Sequence, residues 1–392
     1  MKIKIQNGVI IDGTGRPPEE GDIDVVDGKI VEVGPGPGVG RSSGGFDQVI
    51  QAKGKYVLPG LINCHVHFSL NAGLHPMNDM AKTDSYTLTI QGVLVASRLL
   101  KKGFTTVRDM GSKHFEVLAL RNAIRQGTIP GPNIISPGQA LLMTGGHFSG
   151  REVNGVDACL AGARAQLQAG AEFIKVMATG GLGKPDEIPG AQELSFEELK
   201  ACFDVAKKAG KASAAHAHGL EGIKDIIRAG VTSVEHGTMM DEEAMDWMIQ
   251  RGTYLVPTFA PYWLMAEEGK KKGVADYMIE SSRWVMREKM PRFQKAVRKG
   301  VRIAFGTDGG SPINPHENLE VECRCMIEGG MTAMEVISSL TQKAAHLLQL
   351  GDKVGTLEVG KKADIVIVEG NPLEDIGHLA NVRGILKEGT LV

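Results

Sequence analysis

From Tyr56 onward, short apolar runs alternate with longer helical segments, and the alternation repeats eight times before Leu350. The runs are Val57 through His65, Thr105 to Arg108, Asn133 to Ser136, Phe173 to Met177, Ala212 to His216, Ser233 to Glu235, Thr253 to Val256 and Val301 to Phe305. A strand followed by a helix returns to the same edge of a sheet, so its neighbour pairs in parallel. Eight such units predict a (β/α)8 barrel, whose strand C-termini all open on one face. The helices between carry their own punctuation. Ser195 to Glu198 and Thr332 to Glu335 have the spacing of capping boxes. Lys101-Lys102-Gly103, Lys208-Ala209-Gly210, Arg228-Ala229-Gly230 and Arg298-Lys299-Gly300 each end a helix with cations and a glycine.

The two ends of the chain read differently. Ile3, Ile5, Val9 to Ile11, Ile23 to Val26 and Lys29 to Val33 alternate as short antiparallel strands, broken at Asn7-Gly8, Asp12-Gly13 and Asp27-Gly28. Asp27-Gly28 is a two-residue hairpin signal. A Gly/Pro-rich stretch at 34–40 and a loop at 41–46 follow, then a strand from Gln48 to Gln51. Thr356 to Val359, Ala363 to Val368 and Val382 to Leu386 have the same character near the C-terminus. With 392 residues there is room for two units. We expect residues 1–55 and 353–392 to combine in a small β-sandwich beside a barrel of residues 56–352.

Composition narrows the partners. The 44 basic and 46 acidic residues nearly cancel, which offers no attraction to nucleic acid or an anionic membrane. No apolar stretch reaches the roughly 18 residues of a membrane span. The N-terminus alternates like a strand, unlike a signal peptide. Cys64, Cys159, Cys202, Cys323 and Cys325 are five in number, and none stands in a CxxC spacing. Reduced, buried thiols in a cytoplasmic protein are the expectation. The partner expected is a small-molecule substrate, with a homo-oligomer of the chain itself.

Six residues stand at or just past the ends of predicted barrel strands: His65, His67, Lys175, His216, His236 and Asp308. His65 and His67 are two apart on a strand and so share a side. Lys175 interrupts the apolar run Phe173 to Met177. A buried ammonium is costly, so this amine is either neutral or paired. Neutral, it can add carbon dioxide and bridge two cations as a carbamate; turned outward, it would pair with a helix carboxylate. His216 and His236 each permit the plainer reading of a hydrogen-bonded core histidine, and Asp308 that of a turn cap. Imidazole nitrogens suit zinc and similar metals.

At these residues the chain resembles the amidohydrolase superfamily. The resemblance implies that His65, His67 and Asp308 hold one divalent cation, that His216 and His236 hold a second, and that a carboxylated Lys175 bridges them, zinc being the expected metal. Thr105 to Asp109, Thr144 to His147, Phe173 to Gly181 and Val234 to Gly237 are similar to the imidazolonepropionase-like branch, which includes prolidase-like and Xaa-Arg-type metallodipeptidases and N-acyl amino acid (ochratoxin-type) amidohydrolases. There His147 corresponds to the histidine that contacts the reacting carbonyl. Dipeptidases of that branch carry a tyrosine two residues after the strand-5 ligand; this chain has His218.

The reaction this implies is hydrolysis of an amide-type C–N bond, in an N-acyl amino acid or a dipeptide. A metal-bridging hydroxide attacks, His147 and His218 donate to the carbonyl oxygen, and Asp308 carries the proton to the leaving nitrogen. Substrate contacts are expected from loops after the strands. Lys184, Arg151 or His316 are candidates for a carboxylate, and Tyr262 or Trp263 for an apolar group. Met143-Thr144 and Ser311 to His316 also lie in such loops. Other readings of the same barrel are a carbamate or urea hydrolase, a mononuclear deaminase or cyclic amide hydrolase, and a non-catalytic assembly protein.

Overall fold

The structure, a computed structural model, describes residues 1–34, 45–182 and 187–392. Most of the Gly/Pro-rich stretch and of the loop after it, with Gly183 and Lys184, lie outside the described residues.

All eight predicted barrel strands are present: Leu61–Val66, Phe104–Asp109, Asn133–Ile135, Phe173–Met177, Ala212–Ala217, Ser233–His236, Tyr254–Val256 and Arg302–Ile303. Pairing between the neighbours is parallel. Two seams close the ring. Asp308 N–H donates to His65 O at 2.8 Å and Cys64 N–H to Phe305 O at 2.9 Å, joining the last strand to the first. Glu172 N–H donates to Ser136 O at 3.0 Å, joining the third to the fourth. Leu141–Leu142 and Arg151–Glu152 are additional two-residue strands at this side, too short to leave a periodic signal. Both predicted capping boxes form, and Gly230 and Gly300 end their helices in the left-handed conformation.

The run Val57 to His65, read as one strand, is two. Lys55–Pro59 pairs with Ile365–Glu369 and with Lys2–Ile10, outside the barrel. Leu61–Val66 then begins the barrel. The break falls at Gly60, where a Cβ would stand 2.1 Å from Thr105 Oγ1, so only glycine lets the chain cross the second barrel strand there.

The chain ends meet in one mixed eight-stranded sheet, in the order Thr390–Leu391, Val382–Lys387, Ile365–Glu369, Lys55–Pro59, Lys2–Ile10, Glu19–Val26 and Lys29–Gly34, with Gln48–Gln51 also on Lys2–Ile10. It encloses an apolar core of its own, including Ile3, Ile23, Val57, Ile365 and Leu386, as a small sandwich does. Asp27 and Gly28 both have positive φ, the hairpin turn expected of them. Asn7-Gly8 is a bulge within a continuous strand, not a turn. Thr356 to Val359 forms no strand: Leu357 N–H donates to Asp12 O, and the chain turns at once through Glu358 and Lys361. All five cysteines are buried and free. No helix among the described residues is long and apolar enough to cross a membrane.

Candidate metal centre

The barrel mouth gathers side chains from seven of the eight strand ends or the loops after them. His65, His67 and Asp308 form one group, and His216, His218 and His236 another; within each, the ligand atoms lie within 4.8 Å of one another. In the first, Asp308 Oδ1 is 3.5 Å from His65 Nε2 and 3.3 Å from His67 Nε2. His65 and His236, with ring centroids 5.2 Å apart, join the two groups. Lys175 is buried and lines the same pocket, so the outward-facing alternative is not what the fold adopts.

The backbone at this face is strained. His236, Thr258 and Asp308 take φ of 70°, 52° and 53°, a region that side-chain-bearing residues seldom occupy. Such strain persists where the surroundings over-determine it, and it clusters at functional sites.

Hydrogen bonds decide which imidazole nitrogens face the pocket. The Thr258 hydroxyl donates to Pro257 O at 2.6 Å, so its oxygen must accept from His236 Nδ1–H, also 2.6 Å away. His65 Nδ1–H donates to Glu235 Oε2 at 2.8 Å. In both rings Nε2 is left with its lone pair, the form that ligates a metal. Glu235 is held in turn by Arg108 Nη2 at 2.8 Å and by the Ser233 hydroxyl, and Arg108 Nε donates to Cys64 O at 2.7 Å. His218 Nδ1 lies 2.7 Å from Thr238 Oγ1.

Burial sets the charges. It pushes His65 down to about 4 and His218 to about 3, and carries His216 and His236 well below the usual imidazole range. These rings stand neutral at pH 7, as metal ligands must. Burial also brings Lys175 down to about 7, where a neutral amine is readily populated. For Asp308 burial acts upward, but the hydrogen bond from His67 and the nearby imidazoles outweigh it and hold the carboxyl at about 2. At the mouth, the buried nitrogens His67 Nδ1 and His216 Nε2 have no hydrogen-bond partner among the described residues. Neutral imidazoles, an ionised carboxylate and orphaned nitrogens at one mouth fit a pair of divalent cations.

His147 is at the mouth as well. Its ring stacks on His216 at 4.4 Å, and its Nδ1 is 2.6 Å from Glu187 Oε1, which also accepts Gly181 N–H at 2.7 Å. A Cβ on Gly181 would fall 2.1 Å from His147 Cε1. The Tyr262 hydroxyl sits 3.3 Å from both His218 Nε2 and His236 Nδ1. Burial keeps it a neutral phenol, far above its ordinary range. The walls are apolar: Leu70, Met77 and Phe148 on one side, Leu182, Met265 and Met278 on the other.

Other candidates fall elsewhere. His316 Nε2 donates to His67 O at 2.8 Å and so braces the first strand's end. Arg151 is exposed on its short strand. Trp263 lies under the Arg324 guanidinium, 4.7 Å away, outside the pocket lining, as are Met143 and Thr144. Ser311 does line the pocket. Glu187, Thr238, Thr258 and the Arg108–Glu235 pair were given no role by sequence reasoning. The last had a signal: two charges inside apolar strands require partners, and each is the other's.

Known proteins are similar in sequence and fold. An Xaa-Pro dipeptidase structure with methionine bound in its active site is 35% identical and superposes with a TM-score of 0.91 over 100% of both chains. A prolidase structure complexed with N-methylphosphonate-L-proline is 29% identical with a TM-score of 0.91, covering 100% of this chain and 99% of that one. Ochratoxinase of Aspergillus niger is 32% identical over 355 residues, 82% of this chain and 71% of its own length. The amidohydrolase family pattern spans residues 56–392, from the strand Lys55–Pro59 of the small domain through the whole barrel to the returning strands. On the barrel, the paired ligand groups and this likeness, the chain belongs to the amidohydrolase family.

Proposed function

We propose that this chain is a binuclear metal-dependent amidohydrolase cleaving the amide-type C–N bond of an N-acyl amino acid or dipeptide with apolar flanks, prolidase-like or carboxypeptidase-like. The observation that carries the reading is the convergence of two ligand groups with a buried Lys175 in one apolar-walled pocket. The full-length likeness to dipeptidase structures supports the substrate class. His65, His67 and Asp308 would hold one cation and His216 and His236 the other, with Lys175 as an N6-carboxylated bridge. Zinc suits this donor set. Bound cations of this kind supply an acidified water and polarise a carbonyl.

The chain's residues do the rest. Asp308, ionised at pH 7, accepts the proton that water loses as its oxygen bonds to the carbonyl carbon. The same carboxyl returns that proton to the nitrogen as the C–N bond breaks, so that one water is consumed and an acid and an amine leave. His147, its Nδ1–H committed to Glu187, turns its other nitrogen to the carbonyl oxygen and donates to it when both ring nitrogens carry hydrogen, and His218 with Tyr262 offers a second donor. Apolar walls on both sides exclude water from the reacting atoms.

We further read the chain as a cytoplasmic homo-oligomer. Five buried, free thiols support the first part. Tyr86, Ile90 and Leu94, exposed at successive turns of the helix Ser85–Lys101, support the second.

The test is hydrolysis of an N-acyl amino acid and dipeptide library by zinc-loaded protein, with Lys175→Ala and His147→Ala as controls. Cleavage of apolar members, lost in both variants, is the expected result. Activity confined to carbamates or ureas overturns the substrate class, and one cation per chain overturns the binuclear centre.

A further inference from the structure

Behind the second ligand group lie two buried ionisable side chains that hydrolysis does not use. Lys289, from the helix Asp276–Lys299, and Glu322, from the helix Glu320–Glu328, are both buried. Lys289 Nζ donates to Thr258 O at 3.2 Å and lies 4.7 Å and 4.9 Å from the ring centres of Phe259 and Tyr262. Glu322 Oε2 accepts from Ala260 N–H at 2.7 Å, while its Oε1 has no hydrogen-bond partner among the described residues. Two outer helices thus grip backbone groups on either side of Phe259.

What they grip is the strained end of the seventh strand. Thr258 is β-branched and has a φ of 52°, a conformation that needs external support. That conformation aims its hydroxyl at Pro257 O and its oxygen at His236 Nδ1–H. Four residues on, Tyr262 places its phenol beside His218. One short segment therefore sets the ring orientation of a candidate ligand and the position of a candidate donor.

The pair is an expensive way to fill space. Burial pushes the Lys289 amine down to about 7 and the Glu322 carboxyl up to about 7. Apolar side chains of similar volume often stabilise such a site more than ionisable ones do. What apolar side chains could not provide is a donor for Thr258 O and an acceptor for Ala260 N–H.

We propose that Lys289 and Glu322 are positioning residues of the metal centre: they hold Thr258 in its strained conformation so that His236 presents Nε2 to its cation. This rests on His236 being a ligand, as read above. The aromatic faces around Lys289 keep its amine from wandering to solvent, and Ala260 fixes Glu322, so the support is rigid.

The experiment is a zinc titration against a chromophoric chelator, resolving both cations, for the parent, Lys289→Met/Glu322→Met, Thr258→Val and the combination. The paired substitution leaves neither partner charged and alone, which protects folding. Thermal unfolding of the metal-free proteins is recorded alongside. We expect the pair variant to bind one of its two cations roughly 10- to 100-fold more weakly and to leave the other unchanged. Thr258→Val should do the same, and the combination should add little, because both act through one hydrogen bond. If the pair variant binds both cations like the parent, or if the losses multiply, the positioning role is overturned. A parent that binds fewer than two cations overturns the metal centre itself, and the inference with it; the parent titration alone reports that outcome.

Discussion

Glu235→Gln tests the support of the candidate ligand His65. Glu235 is fully buried, its Oε2 on His65 Nδ1 and its Oε1 on Arg108 and Ser233. Burial opposes its ionisation, but the Arg108 guanidinium and the bond from His65 overcome this and hold the carboxyl at about 2, against an ordinary 4.5. By linkage the difference corresponds to about 3 kcal/mol. The sign follows from the direction. A depressed carboxyl contributes in full above pH 4.5, and the contribution fades as pH falls through about 2. At pH 7, therefore, the substitution removes all of it, and it leaves Arg108 buried without a counter-charge. Breaking buried pairs in this way costs about 3–5 kcal/mol, in the same range.

A second effect acts on the metal. The glutamine carbonyl will stay on Arg108, which can only donate. The amide NH2 then faces His65 Nδ1, and two donors cannot share that contact. His65 must move its proton to Nε2, the nitrogen that would ligate. We expect zinc affinity of one cation to fall roughly 10- to 100-fold, about 1.4–2.8 kcal/mol. Chelator competition measures the affinity, and urea unfolding of the metal-free protein measures the stability. Unchanged affinity together with an unchanged unfolding midpoint would refute the tautomer argument and the linkage together.

Asp308→Asn should lower turnover about 100-fold or more; metal content measured on the same sample separates a lost proton shuttle from a lost ligand. Lys175 must be neutral to add carbon dioxide, and it becomes so as pH rises through about 7. Zinc reconstitution should accordingly speed up from pH 6 to pH 8 and with added bicarbonate, as followed by zinc uptake, and Lys175→Ala should show neither response. Ile90→Asp with Leu94→Asp should shift the chain to monomer in size-exclusion chromatography with light scattering, while its zinc content stays that of the parent.

The candidate ligands could be read from the chain because each obeys a local rule. His65 and His67 differ by the period of a strand, and Lys175 is a charge inside an otherwise apolar run. His216, His236 and Asp308 end strands that their own composition announces. Gly60 shows where local rules stop: its neighbours are apolar on both sides, and only the approach of Thr105 reveals that the chain changes sheets there. The partners of the supporting residues obey no local rule. Arg108 meets Glu235 across 127 positions, and Ala260 meets Glu322 across 62. Lys289 lies on a long polar helix, where a lysine ordinarily faces water, yet the fold turns it inward onto a strained carbonyl. A charged residue in a strand betrays itself by its surroundings in sequence; a charged residue on a helix does not, because the helix always has a wet face to offer it. The helices therefore hide Lys289 and Glu322, while the strands display the candidate ligands and the Arg108–Glu235 pair.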